Sequence, residues 1–217
     1  KQRTRVLPIS SIPTPDKVLL LMSQHTGKPA IPIVKKGDKV LKYQKVGEAQ
    51  DVISAPVHAS ISGIVEDIIT VNHPITGDSV QAVVIKSDGE CKEIEARVSY
   101  ANYSQQPVEL IRNLIKEAGI VGLGGAAFPT HVKLNPPQKV DTVLFNGCEC
   151  EPYLTGDERL MIEETEKMVS GFKIIMYALG VQKGIVVIED NKPEAISRMQ
   201  EVTKNEPGLQ LKVIETK

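Results

Sequence analysis

Two short stretches concentrate the residue types that could do chemistry. The first, "VGLGGAAFPTHVKL" (121–134), holds Gly122, Gly124 and Gly125 with a lysine, Lys133, just beyond them. Without β-carbons, successive backbone N–H groups can turn into one concavity around an anion, and phosphate is the natural guest. An ammonium beside such a nest complements a phosphate. The order of elements differs from the dinucleotide fingerprint, in which the glycines follow a strand and open a helix. Here a helical pattern comes first, so a helix C-cap followed by a connecting loop is an equally open reading.

The second stretch, "FNGCECEPYLTGDER" (145–159), follows a strand-like run. In open α/β sheets the ligand crevice lies at the carboxyl ends of the strands, which is where Asn146, Glu149 and Glu151 fall. An asparagine amide reads both a donor and an acceptor on a heterocycle edge, and carboxylates accept from ribityl or ribose hydroxyls. The alternative is that Glu149, Glu151 and Asp157 serve the positive end of the next helix. Asp157 suits that role better and Glu151 suits it less. Cys148 and Cys150 stand as Cys-x-Cys, whereas zinc and iron–sulfur sites usually leave two residues between ligands and need further partners. They read as small residues beside a ligand, and no metal site is expected. Of the four histidines only His131 lies in either stretch, where a surface role competes with a site role.

The elements that must position these residues change character along the chain. From Ile31 to Ile85 short strand-like runs alternate with turn signals at Gly37-Asp38, Gly63 and Gly77-Asp78, which predicts a small antiparallel barrel or sandwich. From Pro107 the period becomes helical. "PVELIRNLIKEAG" aligns Val108, Ile111, Leu114, Ile115 and Ala118, with Pro107 at its start and Gly119 at its stop. Then follow a strand ("VDTVLFN"), one helix over "DERLMIEETEKMVSGFKIIMYALG", a strand ("GIVVIED"), a helix ("KPEAISRMQEVTKN") and a strand ("LQLKVIE"). Strands alternating with helices imply a parallel sheet. The chain therefore reads as a two-domain α+β protein: an all-β barrel-sandwich with an N-terminal extension over 1–100, then a Rossmann-like α/β domain over 101–217. The change falls within 92–106.

The 217 residues carry a formal net charge of -1 with both signs interspersed. Nothing in that balance points to nucleic acid as a partner. No run approaches a membrane span, and the start lacks the apolar core of a signal peptide. Three cysteines, two of them adjacent but one, make a poor disulfide framework and suit a reducing compartment. The first residue is not methionine and "LKVIETK" stops on a strand-like run, so the sequence reads as a piece of a longer chain.

"VKKGDKVLKYQKVGEA" with "APVHASISGIV" resembles lipoyl and biotinyl carrier domains, which present a modifiable lysine at a hairpin tip. The corresponding tip here, "EAQDVIS", has Gln50 and Asp51 and no lysine, so no swinging arm is expected. Taken together, "GIVGLGGAAFPTHVKL" and "NGCECEPYLTGDERLM" resemble the FMN- and NADH-binding subunit of respiratory complex I, with its G-x-G-G-A-G-F-P-T loop and N-A-D-E-x-E-P segment. They resemble still more the RnfC-like family, the C subunit of the Rnf ion-translocating electron-transport complex. That family carries NG-x-ECEPY there and shares the preceding barrel half, including SQH-x-G-x-P and SAPVHASISG. The resemblance runs from about Ile12 onward.

It implies an electron-transfer flavoprotein subunit that passes electrons between NAD(H) and FMN, then to 4Fe-4S clusters in a C-terminal part absent from this sequence. Gly122, Gly124, Gly125 and Ala126 would line FMN, and Lys133 would serve its charged part. Asn146, Glu149 and Glu151 would contact flavin and ribityl, with Glu151 also open to NAD(H), and Phe128 would face the nicotinamide. Ala127 stands where the complex I pattern has glycine, and Cys148 where it has aspartate. The implied partners are NAD(H), the other subunits of a membrane-bound complex and, indirectly, ferredoxin, with the chain peripheral on the cytoplasmic face. A sibling group feeds amino-acid (for example proline) reductases or cobalamin reduction and differs only in the downstream acceptor. A non-catalytic docking or carrier module is the remaining alternative.

Overall fold

The computed structural model of the chain describes residues 3–95 and 102–216. These form two compact units. One is Ile12–Asn135; the other joins the described residues up to Ser11 to those from Pro136 onward.

In the first unit, β1 (Lys17–Leu21), β2 (Ile31–Pro32), β3 (Lys39–Val40), β4 (Lys45–Glu48), β5 (Val57–His58), β6 (Gly63–Asn72) and β7 (Ser79–Ser87) build two antiparallel sheets, ordered β1-β7-β6-β3 and β2-β4-β5. Their inward side chains, among them Met22, Val40, Val46, Val65, Val83 and Ile85, make the core. Two of the expected glycine turns are turns, with Gly37 and Gly77 at φ 92° and 76°. Gly63 is different. It opens β6 opposite Ser87, and a β-carbon there would fall 1.9 Å from the Lys86 carbonyl oxygen. Its glycine answers to close strand approach, not to a turn.

α1 (Val108–Glu117) and the short α2 (Thr130–Lys133) complete this unit. Pro107 is the N-cap of α1 and Gly119 follows its end at φ 67°. Ala118, expected on the apolar stripe, is exposed. A β-carbon on Gly119 would lie 2.6 Å from the Pro56 carbonyl. The sequence places a division within 92–106, of which 96–101 lie outside the described residues. The compact units part instead between Asn135 and Pro136, because α1, the glycine loop and α2 bond to barrel residues.

In the second unit, β8 (Thr142–Gly147), β9 (Lys183–Glu189) and β10 (Leu209–Ile214) pair in parallel in the order β10-β9-β8. Their core shares Val186 and Ile188 with Met161, Val169, Phe172, Met176 and Met199 from α3 (Gly156–Glu163), α4 (Thr165–Leu179) and α5 (Pro193–Thr203). The single helix expected over 157–180 is two. Glu164 leaves helical geometry at φ −128°, and the buried Thr165 hydroxyl donates to the Met161 carbonyl at 2.6 Å, which closes α3 as α4 begins. α4 ends as expected on Gly180, left-handed at φ 66°. The N-terminal extension, read with the barrel, packs on this unit. Arg5 donates to Glu158 and to the Asn191 carbonyl, and Ile9 N–H donates to Glu163.

Candidate functional site

The glycine-rich segment is a closed loop with a defined neck. Val121 bridges Pro129, Gly122 N–H donates to the Phe128 carbonyl at 3.0 Å, and Thr130 N–H donates to the Ile120 carbonyl at 3.0 Å. Leu123 to Ala127 form the tip. Gly124 and Gly125 are exposed, and a β-carbon on either would meet nothing within 4 Å, so the backbone there is open to a guest. Ala127 sits at φ 48°, in the left-handed region where a β-carbon costs on the order of 1–2 kcal/mol. That geometry accounts for the glycine in the pattern it resembles.

Lys133 comes back to the neck from α2. Its Nζ would lie 3.6 Å from a β-carbon on Gly122, and it sits 6.0 Å from the Phe128 ring centroid. The structure thus gathers Gly122, Phe128 and Lys133 on the neck, with Gly124, Gly125 and Ala126 at the tip. A cleft of about 510 Å³ borders the tip, lined by Gly125, Ala126 and Ala127 from the loop and by Leu21, Gln24 and Ile75 among others from the barrel half. Among the described residues, Gly122, Phe128 and Lys133 are not part of its wall.

His131 is half-buried and donates from Nε2 to the Val52 carbonyl at 3.2 Å. Burial pushes its pKa below the ordinary 6.5 and outweighs the raising effect of that hydrogen bond, while the Lys116 charge adds to the fall. His131 is therefore neutral at physiological pH and anchors α2 to the barrel.

Asn146, Glu149 and Glu151 belong to the other unit, at the carboxyl end of β8. Asn146 is exposed and its Oδ1 accepts the Cys148 N–H at 3.0 Å in an Asx turn. Gly147 next to it is required by packing, since a β-carbon would press on Met161 Sδ at 2.9 Å and on the Val187 carbonyl at 3.0 Å. Glu149 is only 7% exposed, and its Oε1 accepts the Asp157 N–H at 2.9 Å in the first turn of α3. Glu151 is exposed. Asp157 is exposed in that same first turn. Asn146 and Glu151 are thus exposed, and Glu149 is buried.

Cys148 is half-buried. Burial first, then the Glu189 carboxylate, push its thiol up. Among the described residues no cluster of three or more His, Cys, Asp or Glu side chains is placed to hold a metal ion.

Two buried charges at this sheet edge escape sequence reasoning. Lys192, 1% exposed before α5, donates to Glu189 at 2.6 Å and to Asn191 at 3.2 Å. Glu158, 3% exposed, is bonded by Arg5. The only sequence signal for Lys192 is its place after "VIED", at the carboxyl end of a parallel strand. Nothing local marks the pairing of Arg5 with a residue more than 150 positions away.

Comparison with known proteins finds two family matches along the chain. Residues 1–90 match the RnfC barrel sandwich hybrid domain and residues 115–217 match the Nuo51 FMN-binding domain. The C subunit of the proton-translocating ferredoxin:NAD(+) oxidoreductase complex of Clostridium ljungdahlii is 47% identical over 202 residues, covering 92% of this chain and 44% of the relative. Its Na(+)-translocating counterpart in Acetobacterium woodii is 44% identical over all of this chain and 49% of its own length. The C subunit of the ion-translocating oxidoreductase complex of Serratia proteamaculans is 40% identical, over all of this chain and 31% of its own. The chain thus spans half or less of the length of the curated relatives it matches. By two domain matches in this order, and by relatives alike over nearly all of it, the chain belongs to the RnfC-like family of ion-translocating oxidoreductase subunits.

Proposed function

We propose that this chain holds FMN and passes electrons between NAD(H) and the flavin, as the redox subunit of an Rnf-type NAD:ferredoxin oxidoreductase. The observation that carries the reading is the glycine loop, open at Gly124 and Gly125 with the Lys133 ammonium beside Gly122, within residues that match an FMN-binding domain. In the loop's own unit the donors suit a phosphate, with open backbone and one cation; in the other unit, exposed Asn146 and Glu151 are suited to hydroxyls or a nucleotide. When bound, the flavin supplies hydride exchange with a nicotinamide and single-electron release. The protein's share is to bind and orient. By the resemblance, Gly122, Gly124, Gly125 and Ala126 would line the flavin, Lys133 would neutralise its phosphate, Asn146 and Glu149 would contact the ring and ribityl, Phe128 would face the nicotinamide and Glu151 would meet NAD(H).

In this reading, 4Fe-4S clusters carried elsewhere in the longer protein would take the electrons onward, and ferredoxin would be reached through other subunits. Among the described residues no helix is long and apolar enough to cross a membrane. Attachment to the cytoplasmic face through partner subunits is the corresponding localisation.

Flavin titration followed by fluorescence quenching tests the reading. FMN should bind and FAD should bind roughly tenfold more weakly, because a single glycine loop with one lysine beside it suits one terminal phosphate. Equal affinity for FAD, or no affinity for either, overturns it.

A further inference from the structure

The "SQHTGKP" turn, which the flavin reading leaves without a task, joins β1 to β2 and is clamped on the segment before β5. Lys28 N–H donates to the Ile53 carbonyl at 2.9 Å, the Ser54 hydroxyl donates to the Lys28 carbonyl at 2.8 Å, and Ala55 N–H donates to Nε2 of the buried His25 at 3.0 Å. Gly27 is indispensable to the fit. It sits at φ 105°, and a β-carbon there would lie 2.1 Å from the Ile53 carbonyl oxygen. The clamped turn holds out one residue, Thr26, toward the glycine loop. Its N–H donates to the Ala127 carbonyl at 3.2 Å and its hydroxyl donates to the Ala126 carbonyl.

Two consecutive carbonyls held on one side have a consequence. In a planar trans peptide the C=O and the following N–H point in opposite directions. Fixing the Ala126 and Ala127 oxygens on Thr26 therefore turns the N–H groups of Ala127 and Phe128 to the opposite face of the loop. Among the described residues neither N–H donates to a backbone carbonyl. The same contacts hold Ala127 in its left-handed conformation, which it would otherwise tend to leave.

We infer that Thr26 is a positioning residue for the flavin site: it braces the tip of the glycine loop from the barrel half and aims the Ala127 and Phe128 N–H groups at the bound ligand. The inference rests on the FMN reading above and adds a residue outside the matched FMN-binding segment. It also gives the barrel half a task that needs no acylated lysine.

The test compares Thr26→Val, which keeps the size and the backbone N–H but loses the hydroxyl, with Thr26→Ser, which restores it, in the intact chain. Two readouts are taken: ¹⁵N relaxation of the Ala126 and Ala127 amides without flavin, and the FMN dissociation constant. In the wild type the order parameters are those of a rigid backbone, about 0.85; in Thr26→Val they fall below about 0.6. FMN binds about fivefold to tenfold more weakly to Thr26→Val, the worth of one hydrogen bond. Thr26→Ser recovers both, and the unfolding temperature of the three proteins agrees within the range of a surface substitution. A rigid loop in Thr26→Val, or unchanged FMN affinity beside normal wild-type binding, overturns the brace and leaves the flavin reading standing. Absence of FMN binding by the wild type sinks the flavin reading and the aiming role with it, while the relaxation data still report whether Thr26 holds the loop.

Discussion

The Glu149 carboxylate accepts the Asp157 backbone N–H at 2.9 Å, so a group the sequence assigns to the flavin also closes the first turn of α3. Four N–H groups at a helix start lack intrahelical partners, and a carboxylate there also meets the positive end of the helix dipole. Glu149→Ala should cost about 0.5–2 kcal/mol of stability, the range for a lost N-terminal cap, and Glu149→Gln should recover most of it. Denaturant midpoints at constant slope read this directly. An Ala variant as stable as the wild type would leave Glu149 to the ligand alone.

Arg5 and Glu158 make the second stability prediction. Glu158 is buried, and Arg5 neutralises it while also donating to the Asn191 carbonyl at 2.9 Å. Because Arg5 keeps a third of its side chain in solvent, its removal leaves a carboxylate that water partly reaches. The expected loss for Arg5→Met is about 1.5–3 kcal/mol, the worth of a charge-assisted hydrogen bond. Glu158→Gln in the same background should restore a good part of it. A double-mutant cycle with no coupling would show that the N-terminal arm rests on this unit without holding it.

His131 supplies a pH dependence whose sign is fixed. Its folded pKa lies below the ordinary 6.5, so as pH falls the unfolded chain takes up the proton first. The contribution of neutral His131 is fully present above 6.5 and is lost as pH drops through the folded value. Stability should therefore decline below pH 6.5 more steeply in the wild type than in His131→Asn. An NMR titration should show the His131 ring titrating below free histidine. A ring titrating at or above 6.5 would mean that water or a neighbouring carboxylate offsets the burial.

Sequence pattern carried the elements further than it carried the site. Period-2 runs with turn glycines are local signals, and they mark the β half correctly. Yet Gly63 looks like a turn glycine and is a strand glycine, because only the partner strand reveals the Lys86 carbonyl that excludes a β-carbon. The helical period over 157–180 is continuous, and the break at Glu164 depends on a buried Thr165 hydroxyl bonding Met161, which composition does not show. Gly122, Phe128 and Lys133 are legible as one cluster because twelve residues contain them. Thr26, Arg5 and Lys192 are not, since each acts on a partner chosen by the fold or by burial.

Lys133 and Glu151 make the last prediction, a division of labour. The Lys133 ammonium lies against the neck of the glycine loop beside Gly122, where the FMN phosphate proposed above would need a charge, whereas Glu151 is exposed past the end of β8. Lys133→Ala should weaken FMN binding more than NAD(H) use, and Glu151→Gln should do the reverse. Each lost charge-assisted hydrogen bond is worth about 1.5–3 kcal/mol, or roughly tenfold to more than a hundredfold in affinity. Flavin titration measures one arm, and NADH-driven bleaching of the flavin-loaded protein measures the other. Lys133 also faces the Phe128 ring at 6.0 Å, a distance at which a cation adds little packing, so loss of the lysine should leave stability nearly unchanged. If both substitutions shift only flavin affinity, Glu151 contacts the flavin and the nicotinamide is met elsewhere. If neither shifts anything, the loop is a helix terminus with a solvent-facing lysine, and the acidic residues serve α3.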